Sequence, residues 1–376
     1  MSRNINQADQ IRILQQNIDR KIAASKDRNN GALTQIERDG QLLSDFILPL
    51  GAGSNVSFEG NGAVKMMIAG KTRQSNKEFT LHPHAVMQAG EKLGAPPTYV
   101  RSLAESTEDW KRQLAANILN QHTQHSERQR VLVREIGGQV RGVLSDQYRR
   151  LSSPELAKSF LKAMKDQGAM VVDAFADDLR WYVEVIRRDI VPVQTEKNGL
   201  VFMAFGMRIQ SSDFGDGALD LRAFDIQAVC LNGMVAESLL RRVHLGGKLP
   251  TNIELSDRTY QLDTRTNASA IGDIVATTFS KEAILKRAMV IQDASAEVID
   301  IEKEVKALPR VNALTKVETE SVKKTLMENK PEDGVQGEPT LWKLAQAVSA
   351  VGRELEPRRK REIDEIAGAL LARVKK

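Results

Sequence analysis

Six arginines fall between positions 128 and 150 (Arg128, Arg130, Arg134, Arg141, Arg149 and Arg150), against only Glu135 and Asp146. Guanidinium groups at that density suit phosphate, because the planar fork donates two parallel hydrogen bonds to an oxyanion. Gly137-Gly138 splits the run between Val131–Val133 and Val140–Leu144, the pattern of a two-residue hairpin. With Ile136 opposite Gln139, Arg134 falls directly across from Arg141, and Arg130 lies on the same face opposite Ser145, with Leu132 and Val143 between them. Val131, Val133, Val140 and Leu144 then form the face suited to a core. Like charges directly across a strand pair repel, so this pair needs a bound anion, an acidic neighbour or solvent. Tyr148-Arg149-Arg150 continues the basic surface with a ring on which a base could stack. The expected phosphate contacts are Arg130, Arg134, Arg141, Arg149 and Arg150, with Tyr148 as the stacking residue. The alternative, in which Glu127, Glu135 or Asp146 neutralises the arginines, stays open.

Other reactive patterns are weaker. Gly70-Lys71-Thr72 ends like a phosphate-binding loop, but Lys65 stands where that motif needs glycine. No G-x-S-x-G elbow is present. His122 and His125 could share a helix face, yet no third metal ligand accompanies them. Asp213, Asp216, Asp220 and Asp225 form the best carboxylate group, the kind a magnesium-dependent nuclease would use. Strand alternation sends Asp220 and Asp225 to opposite faces, however. The one cysteine, Cys230, excludes a disulfide framework and reads as a small buried residue. The expectation is no catalytic residue, no metal and no cofactor.

Hydropathy periodicity supplies the frame. Ile5, Ile11, Leu14, Ile18 and Ile22 mark an amphipathic helix over 5–26. Helices follow from Thr80 to about Gly94, over 98–105 and over 108–126; this proline-joined set reads as architecture rather than as a DNA-reading helix-turn-helix. After the hairpin come a helix over 153–167 and strands at 169–175, 179–186, 200–210 and 218–229, with turns at Arg187-Arg188-Asp189 and Asp213–Gly217. A helix is expected over 234–243, more helices over 267–330, and a polar connection at 328–338. Leu341, Leu344, Val348, Val351 and Leu355, then Ile363, Ile366 and Leu370, mark a closing pair of packed helices. The expected fold class is α+β, a mixed antiparallel sheet core with helices packed on it. Its parts are an N-terminal helical extension (1–54), the core with the basic hairpin (55–265), a helical segment (266–330) and a C-terminal helical pair with a basic tail (331–376).

The composition agrees with a folded chain: 41% hydrophobic and 27% charged residues among 376 exclude wholesale disorder. No run approaches the roughly 18 apolar residues of a membrane span, and the first ten residues are polar, so the expected compartment is the cytoplasm. The net charge of +5 is too small to act as a global field. It is nevertheless concentrated, since 128–150 and 357–376 each carry a surplus of four and leave the rest slightly acidic.

Several passages carry a resemblance. Gly142-Val-Leu-Ser-Asp-Gln-Tyr-Arg-Arg-Leu151, followed by Ser153-Pro-Glu-Leu156, resembles the signature of the phage/plasmid-like protein family, an uncharacterised domain of phages, plasmids and integrative elements. Phe205-Gly-Met-Arg-Ile-Gln-Ser-Ser212, Gly217-Ala-Leu219, Val229-Cys-Leu-Asn-Gly-Met234 and Leu341-Trp-Lys-Leu-Ala-Gln-Ala-Val348 resemble later segments of it. The likeness spans about 80–355; Ser211 stands where the family usually has Asn, and Leu231 where it often has Thr. The resemblance implies mobile-element DNA metabolism. A basic hairpin with interaction-prone flanking helices is also similar, in architecture alone, to the single-strand annealing recombinases. Together these imply a non-catalytic, oligomeric protein that binds or anneals single-stranded DNA in recombination. Its implied partners are single-stranded DNA, further copies of itself and other recombination proteins, with no membrane. A metal-dependent DNA-processing enzyme (nuclease) on Asp213–Asp225, and a protein-interaction factor whose basic segments only solubilise it, are the alternatives.

Overall fold

A computed structural model describes residues 7–227, 232–244, 255–311, 314–328, 335 and 337–374. Its first element, α1 (Gln7–Leu42), extends well past the expected helix. Leu14, Ile18, Ser25, Asn29, Ala32 and Ile36 repeat along one buried stripe of it. The chain then enters β1 (Leu43–Pro49) without a loop, so sheet begins inside the segment expected to be a helical extension.

The first sheet comprises β1, β2 (Val56–Glu59), β3 (Lys65–Ile68), β4 (Lys77–Leu81), β5 (Arg130–Ile136) and β6 (Gln139–Ser145), in the order β1-β5-β6-β4-β3-β2. Its pairings are antiparallel except β4 with β6, which are separated in sequence by the crossover through α2 (Pro83–Leu93), α3 (Pro97–Ala104), α4 (Asp109–Gln124) and β5. Those helices cover one face, where Val86, Leu119, Val131, Val133, Val140 and Val143 share a core. Pro83 starts α2 after the capping His82, and Gly94 ends it in the left-handed conformation.

Gly137 and Gly138 both take positive φ, as the two-residue turn requires, and Ile136 pairs with Gln139. Two residues later the register departs from the sequence expectation. Glu135 pairs with Val140 but Arg134 pairs with Gly142, so Arg141 is an extra residue in a β-bulge and does not face Arg134. Because side chains alternate, one extra residue exchanges the faces of everything beyond it. Val143 therefore enters the core, Leu144 joins Leu132 and Tyr148 on the opposite face, and Val131 rather than Arg130 pairs with Ser145.

After α5 (Ser153–Asp166) comes an antiparallel meander of β7 (Ala169–Ala176), β8 (Trp181–Gln194), β9 (Leu200–Ser211), β10 (Leu219–Gln227) and β11 (Asn232–Arg242), paired in sequence order from one edge to the other. The turn expected at Arg187-Arg188-Asp189 is instead an irregularity inside one long strand, between Ile186↔Gly206 and Ile190↔Ala204. The helix expected over 234–243 is β11. Its Ala, Glu, Leu and Arg content favours helix locally, but pairing along β10 overrides that weak preference. Cys230 and most of the polar connection at 328–338 lie outside the described residues.

Val183, Met203, Phe205 and Ile209 point from this sheet into the largest core, shared with α5, α6 (Asp257–Thr278), α7 (Lys281–Ala296), α8 (Ile301–Val311), α9 (Lys316–Glu328), α10 (Leu341–Val351) and α11 (Pro357–Leu371). The alternate residues Ile186, Phe202, Ala204 and Phe224 meet Leu14 and Ile18 of α1. The architecture is α+β, two sheets with helices packed on them and a helical C-terminal region. No helix among the described residues is long and apolar enough to cross a membrane.

Gly206 lies under this second contact, where an added Cβ would sit 2.4 Å from the Val185 carbonyl oxygen and from the Phe224 ring. Gly206→Ala is expected to lower unfolding free energy by about 1–3 kcal/mol. The control is Gly31→Ala, on an open stretch of α1, which should gain about 0.5–1 kcal/mol. Urea denaturation of both variants checks the pair; an unchanged midpoint for Gly206→Ala would contradict the packing described.

Candidate anion-binding site

The arginines expected to hold phosphate are committed elsewhere. Arg134, 3% exposed, donates from Nε to Asp45 Oδ1 (2.8 Å) and from Nη1 to the Asp213 carbonyl oxygen (2.6 Å), with the Asp213 carboxylate 3.9 Å away. Arg141 donates to Asp39 Oδ2 (3.1 Å) and approaches the Asp178 carboxylate (3.3 Å). Arg130 holds Asp146 at 2.7 Å, and Arg149 makes a two-pronged pair with Asp263. Arg150 lies 3.6 Å from Asp45 and over the Tyr260 ring. Tyr148 is buried, its hydroxyl donating to the Ser212 carbonyl oxygen (2.9 Å) and its ring stacked on His244 at 4.9 Å. Arg134, Arg149, Arg150 and Tyr148 tie this region to β1 and to later parts of the chain, Arg141 ties it to α1 and the β7–β8 turn, and Arg130 pairs locally with Asp146. Of the neighbouring carboxylates, Asp146 neutralises Arg130, while Glu135 accepts from the Gly138 N–H.

The object of these contacts is the loop between β9 and β10. Phe214 O accepts from Gln88 Nε2 (2.8 Å) and from His84 Nε2 (3.0 Å), so that α2 holds the loop together with Arg134 and Tyr148. Ser212 Oγ turns the chain by accepting from the Phe214 and Asp216 N–H groups. Burial pushes the Asp213 carboxyl up and the His244 imidazole down. The neutral ring lies between the Arg149 carbonyl oxygen at Nδ1 and the Ser211 hydroxyl at Nε2 (3.3 Å), joining the ends of β9 and β11.

The four aspartates considered for metal do not converge. Asp213 faces Arg134, Asp216 pairs with Arg180, Asp220 with Arg222 (2.6 Å) and Asp225 with Arg287. Among the described residues no group of three or more His, Cys, Asp or Glu could hold a metal ion. His122 Nδ1 faces the Leu93 carbonyl oxygen, and His125 caps the end of α4.

The other wall of the loop opens on a cleft of about 500 Å³ between the second sheet and the first turns of α11. Every carboxylate lining it has a guanidinium partner: Asp216 with Arg180, Asp220 and Glu365 with Arg222, and Glu362 with Arg359. Three lining arginines remain. Arg241 at the end of β11 and Arg358 in the first turn of α11 are exposed, and neither is bonded to a carboxylate among the described residues. Arg361, one turn on, is 8% exposed; it stacks on the Tyr182 ring (4.1 Å) and has no carboxylate bonded to it. Burial pushes its guanidinium below the usual value. The basic surface thus belongs to the second charged segment, joined by one residue from a strand that reads locally as a helix.

Beyond its apolar packing, α11 is held by two further polar contacts with perturbed carboxyls. Arg359 grips Glu318 of α9 through both oxygens (2.6 and 2.7 Å), which draws that carboxyl down to about 2. Asp364 is buried against Arg208 (3.8 Å) and accepts from the Ser349 hydroxyl; burial pushes its carboxyl up to about 7. No family model matches the chain, and no curated protein or solved structure matches it either.

Removing Arg134 leaves Asp45 and Asp213 buried without their main cation. Arg134→Ala is expected to cost about 3–5 kcal/mol, whereas Arg241→Ala, on the surface, should stay within about 0.5 kcal/mol of the parent. Chemical denaturation separates the two, and equal stabilities would contradict the burial assigned to Arg134. Asp364 gives a pH signature. Its folded value exceeds its unfolded value, so its contribution to stability is complete below about pH 4 and is lost as pH rises through 7. Asp364→Asn stays uncharged and should gain melting temperature over the parent between pH 5 and 8; parallel profiles would overturn the assignment.

Proposed function

We propose that the chain is a non-catalytic nucleic-acid-binding protein of a mobile genetic element, holding single-stranded DNA by its phosphates for annealing or recombination. The observation that carries this reading is the cleft with three arginines that no carboxylate among the described residues bonds, one of them buried. Guanidinium forks are the side chains best matched to phosphate oxygens. A chain whose other cleft arginines are matched to acids, but which leaves these three unmatched, carries local charge aimed at an external anion. The mobile-element setting rests on the sequence resemblance.

Base stacking has a small part in this reading. Tyr148 is enclosed by its contacts with His244 and Arg134, so phosphate contact supplies the grip and salt sensitivity is its signature. Self-association belongs to the same proposal, supported by Leu285 and Met289, one turn apart on α7 and 63% and 58% exposed.

Fluorescence anisotropy with a labelled single-stranded oligonucleotide over a salt series provides the test. The double variant Arg241→Ala/Arg358→Ala should bind more weakly, with the slope of log affinity against log salt shallower by about 1.4 for two lost phosphate contacts. Arg130→Ala should bind as the parent does. Unchanged affinity and slope in the double variant would remove the cleft from the proposal.

A further inference from the structure

Resting on that reading, we infer that the Arg241–Arg358–Arg361 cleft takes a terminal phosphomonoester of a nucleic-acid strand, rather than the phosphodiesters along its length.

The distribution of charge separates the two ligands. A track for a continuous backbone needs cations spaced along a groove, because each phosphodiester brings one negative charge and the chain must enter and leave. Here the unmatched cations line one concavity, and carboxylates share its walls. Asp216 lies on the loop, Asp220 on β10, and Glu362 and Glu365 on α11. A strand crossing the cleft would lay its phosphates against these acids, whereas a strand ending in the cleft brings its charge to one place. A phosphomonoester carries about −1.5 to −2 at neutral pH and three acceptor oxygens, and three guanidinium forks match both features.

Arg361 makes this a built site. A guanidinium more than nine-tenths buried, resting on an aromatic ring and with no carboxylate bonded to it among the described residues, is costly unless something compensates its charge. Glu184 attracts Arg361 from a distance, but each neighbouring carboxylate has another cation as its ion-pair partner. Glu184 and Asp364 are engaged by Arg208, Glu362 by Arg359, and Glu365 by Arg222. The open side of Arg361 is the cleft. The first turn of α11 adds the positive end of a helix whose capping residue, Glu356, makes no side-chain cap bond.

The test uses the full chain and one oligonucleotide sequence prepared with a 5′-phosphate, with a 3′-phosphate, or with hydroxyls at both ends, each measured by anisotropy. Inorganic phosphate and a mononucleotide serve as competitors. At least a ten-fold tighter Kd is expected for one phosphorylated end over the hydroxyl-ended strand. The preference should be abolished by Arg358→Gln and by Arg361→Gln, and reduced by millimolar inorganic phosphate. Arg358 is exposed, so its variant keeps the test decisive if Arg361→Gln fails to fold. Equal binding of all three strands, with the salt dependence intact, would overturn this inference and leave the broader reading standing. Binding of none would overturn both. If the mononucleotide binds as tightly as the phosphorylated strand and the hydroxyl-ended strand does not bind, the phosphomonoester site stands and its source is the free nucleotide.

Discussion

Arg134 lies buried between Asp45, on the edge strand of one sheet, and Asp213, on a loop of the other. Taking a guanidinium out of water costs several kcal/mol, and two carboxylates with a carbonyl oxygen offset that cost without adding much net stability. What the arrangement fixes is geometry. The same loop is held by Tyr148 at Ser212 and by Gln88 and His84 at Phe214. Its far side supplies Asp216, Gly217 and Ala218 to the wall of the arginine-lined cleft. The position of the proposed ligand site therefore depends on a contact in which the ligand takes no part.

The two basic segments have opposite fates for one reason, the distribution of carboxylates. Asp39, Asp45, Asp178, Asp213 and Asp263 surround the hairpin and its continuation and pair with Arg134, Arg141, Arg149 and Arg150, while Arg128 is exposed. Around α11, Glu318 and Glu362 take Arg359, and no carboxylate among the described residues is bonded to Arg358 or Arg361. A cationic run in a sequence is thus a weak guide to a polyanion site until its partners are known, because an ion pair between distant segments is invisible locally.

Periodicity was a good guide to elements and a poor one to pairing. The helices of the first sheet, the Gly137-Gly138 turn, most of the meander and the closing helix pair were all legible, because each is written in local apolar spacing and turn chemistry. The bulge at Arg141 was not, since nothing in a period-2 pattern announces one extra residue, and it separated the two arginines that an ideal register sets face to face. β11 reads as a helix in sequence because its propensity is local and its pairing with β10 is not. The site followed the same division. That 357–376 is basic was plain, but that Arg361 is buried against Tyr182 and that Arg241 lines the same cleft arise only from tertiary packing.

Arg134 and Arg141 are internal, and the proposed nucleic-acid contacts are instead Arg241, Arg358 and Arg361. Ultraviolet crosslinking of a single-stranded oligonucleotide to the full chain, followed by peptide mapping, tests this assignment most directly. Crosslinked peptides are expected from the end of β11 and from the first two turns of α11, and none from 130–150. Crosslinks confined to 130–150, with the α11 peptides unmodified, would contradict it.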